Sequence, residues 1–97
     1  MEINPSETIL TGQWILQGGR AVADDVCKRI LVLTKSHLVE LSRDASGWNV
    51  LYGDPSDERH WELTYPQGEL HGGGPPQLRS LTAEEAKQKY GAQALRR

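Results

Sequence analysis

Histidine is the first side chain to test for chemistry, because its proton comes and goes near neutral pH and its ring nitrogens bind metals. His37, His60 and His71 are 23 and 11 residues apart, so no two share a helix turn or a strand face, and Cys27 is the only cysteine. That spacing does not make a metal site. The run His71-Gly72-Gly73-Gly74 has the look of an esterase oxyanion loop, but the chain has no Gly-x-Ser-x-Gly nucleophile elbow to go with it. A phosphate loop is excluded on other grounds, since Pro75 and Pro76 follow the glycines where N–H donors and a helix start are needed. Asp54, Asp57, Glu58 and Glu62 are close enough in sequence to suggest a carboxylate pair, yet their order does not match a calcium loop, and acidic turns are commonly just solvated. His60 and Glu62 fall on one strand face, where a hydrogen-bonded pair or a partner contact is the ordinary use. No cofactor, no metal and no catalytic set is expected.

The elements that position these residues follow from periodicity and turn chemistry. Gln13–Gln17 reads as a short N-terminal strand stopped by Gly18-Gly19. Asp24 and Asp25 suit a helix start, and Val26, Ile30 and Leu33, with Cys27 and Leu31 beside them, make an apolar stripe that predicts a helix over residues 26–35. A strand through Arg29–Thr34 competes with it, because Ile30-Leu31-Val32-Leu33 is a β-favouring run. The period then becomes two, and His37–Arg43, Trp48–Tyr52 and His60–Tyr65 read as an antiparallel meander joined by Asp-, Gly-, Ser- and Pro-rich turns. Trp48, Val50 and Tyr52 on one strand and Trp61, Leu63 and Tyr65 on the next are assigned to the core. Gln67–Leu78 holds four glycines and two prolines and reads as a shaped structural loop, with a positive φ expected at one or more of Gly72, Gly73 and Gly74. Thr82-Ala83-Glu84-Glu85 is a capping box opening a last helix that Gly91 ends and Leu81 staples.

The expected fold is therefore α+β: a small antiparallel sheet, made of a three-strand meander plus an N-terminal strand, packed with two short helices. At 97 residues the chain has room for one domain, with loose tails expected at 1–8 and 92–97. Met1–Thr8 lacks the basic start and apolar run of a signal peptide, and no apolar run approaches the ~20 residues of a membrane span, so a cytoplasmic location is expected.

The formal net charge is only −2, which gives no field for nucleic acid, but it is unevenly placed. Residues 36–78 hold seven acids against two bases, a net of −5, and the remainder of the chain is +3. An acidic meander of this kind suits a basic partner, and Asp54, Asp57, Glu58, His60, Glu62 and His71 are the candidate partner-binding residues.

Gly47-Trp48, Leu51-Tyr52, Asp54-Pro55, Arg59, Trp61-Glu62-Leu63-Thr64-Tyr65-Pro66 and His71-Gly72-Gly73-Gly74-Pro75-Pro76 together resemble the immunity protein 27 family. The likeness runs from Leu10-Thr11-Gly12 and Trp14 through Lys89-Tyr90, and the Trp-Glu-Leu-Thr-Tyr-Pro and His-Gly-Gly-Gly-Pro-Pro runs are its most specific parts. The resemblance implies a small cytoplasmic protein that protects bacteria from a polymorphic toxin by binding the toxin's C-terminal domain. With the acidic charge it suggests a basic, nuclease-like toxin. The rival reading is a small-ligand or hydrolytic domain in which the His71–Pro76 loop lines a pocket beside Glu62, and a third is an interaction module unrelated to toxins.

Overall fold

The computed structural model describes residues 3–66 and 74–95. A five-stranded antiparallel sheet is built from β1 (Ile9–Thr11), β4 (Val39–Arg43), β5 (Val50–Gly53), β6 (His60–Thr64) and β7 (Gln77–Leu81), in the order β1-β7-β6-β5-β4. β2 (Trp14–Gln17) and β3 (Arg20–Ala23) form a separate two-stranded hairpin. The helices are α1 (Asp25–Val32) and α2 (Ala83–Tyr90), the latter followed by a 3₁₀ turn at Ala92–Leu95. The α+β class and the β4-β5-β6 meander match the sequence reading. The N-terminal strand of the main sheet does not: Ile9–Thr11 takes that place, and the predicted strand at Gln13–Gln17 lies in the hairpin instead. Gly18 and Gly19 explain why, since both have positive φ, +61° and +78°, and turn β2 back on β3 in the two-residue form that suits a hairpin.

Residues 26–35 are helical. Asp24 caps α1 by accepting the Cys27 N–H at 2.9 Å, so the strand alternative through Arg29–Thr34 falls. Beyond Val32 the helix widens into a π turn over Leu33–His37, closed by the Leu38 N–H on the Leu33 carbonyl at 2.8 Å. Cys27, Ile30 and Leu33 point into the core, whereas Leu31, expected in the same stripe, is 54% exposed. The predicted capping box of α2 is present in both directions: the Glu85 N–H bonds to Thr82 Oγ1 at 3.1 Å and the Thr82 N–H to Glu85 Oε1 at 2.9 Å.

Both faces of the sheet are covered. On one face Leu10, Leu78, Leu63, Trp61, Val50 and Tyr52 pack with Ile30 and Leu33. On the other, Leu51 and Leu81 meet Ala86 of α2 and Ala94 of the 3₁₀ turn. This is why Val50, Leu51 and Tyr52 are consecutively buried rather than alternating.

Three further expectations change. Trp61 is fully buried as predicted, but Trp48 is 60% exposed and lies before β5. The turn closes across Asp44 and Asn49, with the Asp44 N–H on the Asn49 carbonyl at 3.0 Å, which leaves Trp48 inside the turn and out of the pleat. The Gln67–Leu78 loop is shorter than predicted at its far end, because Gln77 opens β7 and pairs with both β1 and β6. The N-terminal segment is also tied down. Ile3 joins the core, Arg29 grips the Glu7 carboxylate at 2.6 Å through two nitrogens, and Arg59 donates to the Glu7 and Asn4 carbonyls at 2.7 and 3.3 Å.

Candidate functional site

The acidic residues singled out in the sequence are largely engaged with the protein itself. Asp54 Oδ1 accepts the Ser56 N–H at 2.8 Å and the Ser56 hydroxyl at 2.6 Å, and lies 3.0 Å from His37 Nε2. The π turn after α1 is what carries His37 to it. Burial pushes the Asp54 carboxyl up, but the Ser56 hydrogen bonds and the neighbouring His37 outweigh burial and hold it below the usual carboxylate range. Ser, His and Asp meet here in the wrong order for a serine triad, since the carboxylate sits between hydroxyl and imidazole, and the His37 ring contacts Asp54 in place of the Ser56 hydroxyl. Asp57 binds its neighbour Arg59, with Nε at 2.7 Å and the backbone N–H at 3.0 Å. Glu58 is exposed at a φ of +63°, the one non-glycine residue in the left-handed region among the described residues.

Glu62 is withdrawn further. It lies on the sheet face under α2, 1% exposed, where Tyr90 donates its hydroxyl at 2.7 Å, Lys89 Nζ sits at 2.5 Å and Arg79 at 3.5 Å. Burial, and then the hydrogen bond to this carboxylate, push the Tyr90 hydroxyl well above its ordinary range. A buried carboxylate needs such partners, and all three come from outside the 36–78 segment, two of them, Arg79 and Lys89, cationic. The acidic segment is thus partly neutralised in space. His60 is half-buried on the same face as Glu62, opposite Leu81.

His71, Gly72 and Gly73 lie outside the described residues. Gly74 has a φ of +73°, as expected for this loop, Pro75 is buried, and the Pro76 carbonyl accepts the Gly12 N–H at 2.9 Å. That last contact binds the end of the loop to the chain just after β1. Among the described residues no group of three or more His, Cys, Asp or Glu side chains can hold a metal ion, and no helix is long and apolar enough to cross a membrane.

Several large apolar side chains remain open to solvent. Trp14, Ile15 and Leu16 on the hairpin, Leu31 and Val32 on α1, and Trp48 are all exposed large side chains. Between hairpin, helix and sheet runs a groove of about 250 Å³ lined by Ala23, Cys27, Ile30, Leu31, Leu63, Tyr65 and Pro76, among others. Trp48 extends it by packing edge-on against Tyr65 at 5.6 Å. Clustered apolar exposure on so small a domain marks a recognition surface. Sequence reasoning missed it because Trp14-Ile15-Leu16 reads only as part of a short strand, with no face assigned to it; the absence of polar alternation was the available signal.

A protein-family model described as immunity protein 27 matches residues 16–82, more than half of the chain. No curated protein and no solved structure matches it.

Proposed function

We propose that this chain, which belongs to the immunity protein 27 family, neutralises a bacterial toxin by binding its toxic C-terminal domain and blocking the active site or the path of substrate to it. The observation that carries this reading is the exposed apolar surface over the hairpin, α1 and Trp48, on a chain in which His37, Asp54 and Glu62 are bound up in its own turns and sheet. Surface recognition fits that arrangement, and chemistry at a pocket does not.

The acidic stretch supports a basic toxin, such as one that works on nucleic acid. Asp57 and Glu58 are its exposed members in the β5–β6 turn and would act as steering charges at a rim, while Asp54 holds the turn and Glu62 anchors α2 beneath it.

The test is co-expression with the toxin domain encoded immediately upstream. Cells carrying both should grow, cells carrying the toxin alone should not, and the two proteins should co-purify as a complex. Growth arrest in the presence of this chain, or toxin activity undiminished by an excess of pure chain, would overturn the reading. Reversing the exposed Glu58 to Lys should slow association and flatten its salt dependence while leaving folding intact. An unchanged salt slope removes the acidic turn from the interface.

A further inference from the structure

The sheet edges of this protein are treated unequally. β4, at one edge of the main sheet, carries Glu40 and Arg43 and a register irregularity between Glu40 and Ser42. β1, at the other edge, is only three residues long. Charges, bulges and shortness are the ordinary protections against pairing with another chain. β2 carries neither charge nor bulge: Trp14-Ile15-Leu16-Gln17 is uncharged, apolar in its first three residues and unbroken in register, and its residues are exposed along their whole length, Leu16 by 81%.

The register shows which backbone groups are free. A two-residue turn makes Gln17 and Arg20 a hydrogen-bonded pair, and so Ile15 and Val22 as well, a ladder that the Asp24 N–H continues onto the Gln13 carbonyl at 3.0 Å. The alternate residues, Trp14 and Leu16, therefore turn their N–H and C=O outward, along the side of β2 that no strand covers among the described residues. Their counterparts on β3 are Ala21 and Ala23, small residues with little to offer a partner. The Ile15–Val22 face of the hairpin overhangs a cleft against the start of α1, rimmed by Asp24 and Asp25. Asp24 is committed as the helix cap, whereas the Asp25 side chain is fully exposed with Lys28 a distant 4.0 Å away.

We propose that the free edge of β2 receives an extended strand of the toxin, which extends the hairpin to three strands and sets a Lys or Arg side chain over Asp25. This rests on the reading that the chain neutralises a toxin. The charge argues for a foreign strand over a second copy paired β2 on β2, because residues 12–18 contain no Lys or Arg to meet Asp25. Main-chain pairing supplies affinity in such a joint, and the flanking side chains supply specificity.

The experiment uses the full chain and the toxin domain encoded immediately upstream. Leu16→Glu and Asp25→Asn leave the melting temperature nearly unchanged, because both side chains are exposed and Asn is tolerated in a first helical turn, and weaken the complex, by about 30-fold or more for the central apolar residue and about 10-fold for the rim charge. Hydrogen exchange supplies a readout that side-chain docking alone does not move: the Trp14 and Leu16 amides gain protection only in the complex. Wild-type affinity in both variants, or unprotected Trp14 and Leu16 amides in a complex that forms, overturns the strand-addition proposal and leaves the immunity function standing. Protection that grows with concentration of the chain alone identifies a second copy as the occupant and overturns it too. A wild-type chain that fails to bind the toxin domain overturns the functional reading and this one with it.

Discussion

Trp61 and Trp48 have the same side chain and opposite surroundings. Trp61 is enclosed between Tyr52 and Ser80 on neighbouring strands, with the Arg59 guanidinium 4.8 Å from its ring. Trp48 touches Tyr65 and water. Trp61→Ala should cost about 3–5 kcal/mol, enough to unfold a domain of marginal stability, whereas Trp48→Ala should cost under about 1 kcal/mol. Urea denaturation of the two variants checks this, and equal losses would place Trp48 in the core after all. Tyr90 is the other informative residue. Its hydroxyl serves a buried carboxylate, and hydrogen bonds to charged groups are worth about 1.5–3 kcal/mol, so Tyr90→Phe should lower the unfolding free energy by that amount. A loss near zero would mean that Lys89 and Arg79 satisfy Glu62 without the hydroxyl.

Among the elements, the crossing of β1, the start of α1 and the end of the Gly-Pro loop depends on Gly12. A Cβ there would lie 2.5 Å from Cys27 Sγ and 2.8 Å from the Pro76 carbonyl oxygen, and neither the helix nor the loop backbone has a cheap way to retreat. Gly12→Ala should therefore destabilise the fold by about 1–3 kcal/mol, the usual cost of overpacking. Gly19→Ala, by contrast, meets no atom within 4 Å and suffers only its positive φ of +78°, so its effect should stay near 1 kcal/mol. Thermal melting of the pair distinguishes contact from backbone strain. Capping residues made α1 and α2 legible at this scale, since Asp24, Thr82 and Glu85 act within one turn of themselves. β7 was not legible, because Gln77–Leu81 directly follows prolines and owes its strand form to β1 and β6, which are distant in sequence.

For the molecule as a whole, acid is the condition that tests the electrostatics. Arg29 holds the Glu7 carboxyl down at about 2, with the Asn4 N–H assisting, and Asp24, Asp44, Asp54 and Glu85 are also held below their usual range. A carboxylate whose folded pKa is depressed contributes stability that is present above its unfolded pKa, near 4, and is lost as pH falls through the folded value. Unfolding free energy should be flat from neutrality to about pH 5 and decline between there and about pH 2. Glu7→Gln should remove part of that decline. A pH-independent stability over the same window would mean that these pairs are equally formed in the unfolded chain.

The sequence by itself determined the features that depend on near neighbours: the helix starts at Asp24 and Thr82, the turns at Gly18-Gly19 and Asp44–Gly47, the meander of β4, β5 and β6, and the family through its Trp-Glu-Leu-Thr-Tyr-Pro run. Only the tertiary structure decided which apolar residues are core and which acids are surface. Trp14-Ile15-Leu16 reads as a short strand without a face and lies outside, because its hairpin joins no larger sheet among the described residues. Asp54 and Glu62 read as a solvated acidic face and lie inside, because His37, Arg79, Lys89 and Tyr90 arrive from other elements to satisfy them. Burial is a property of what packs on a residue, and for these positions the covering groups are 17 or more residues away along the chain.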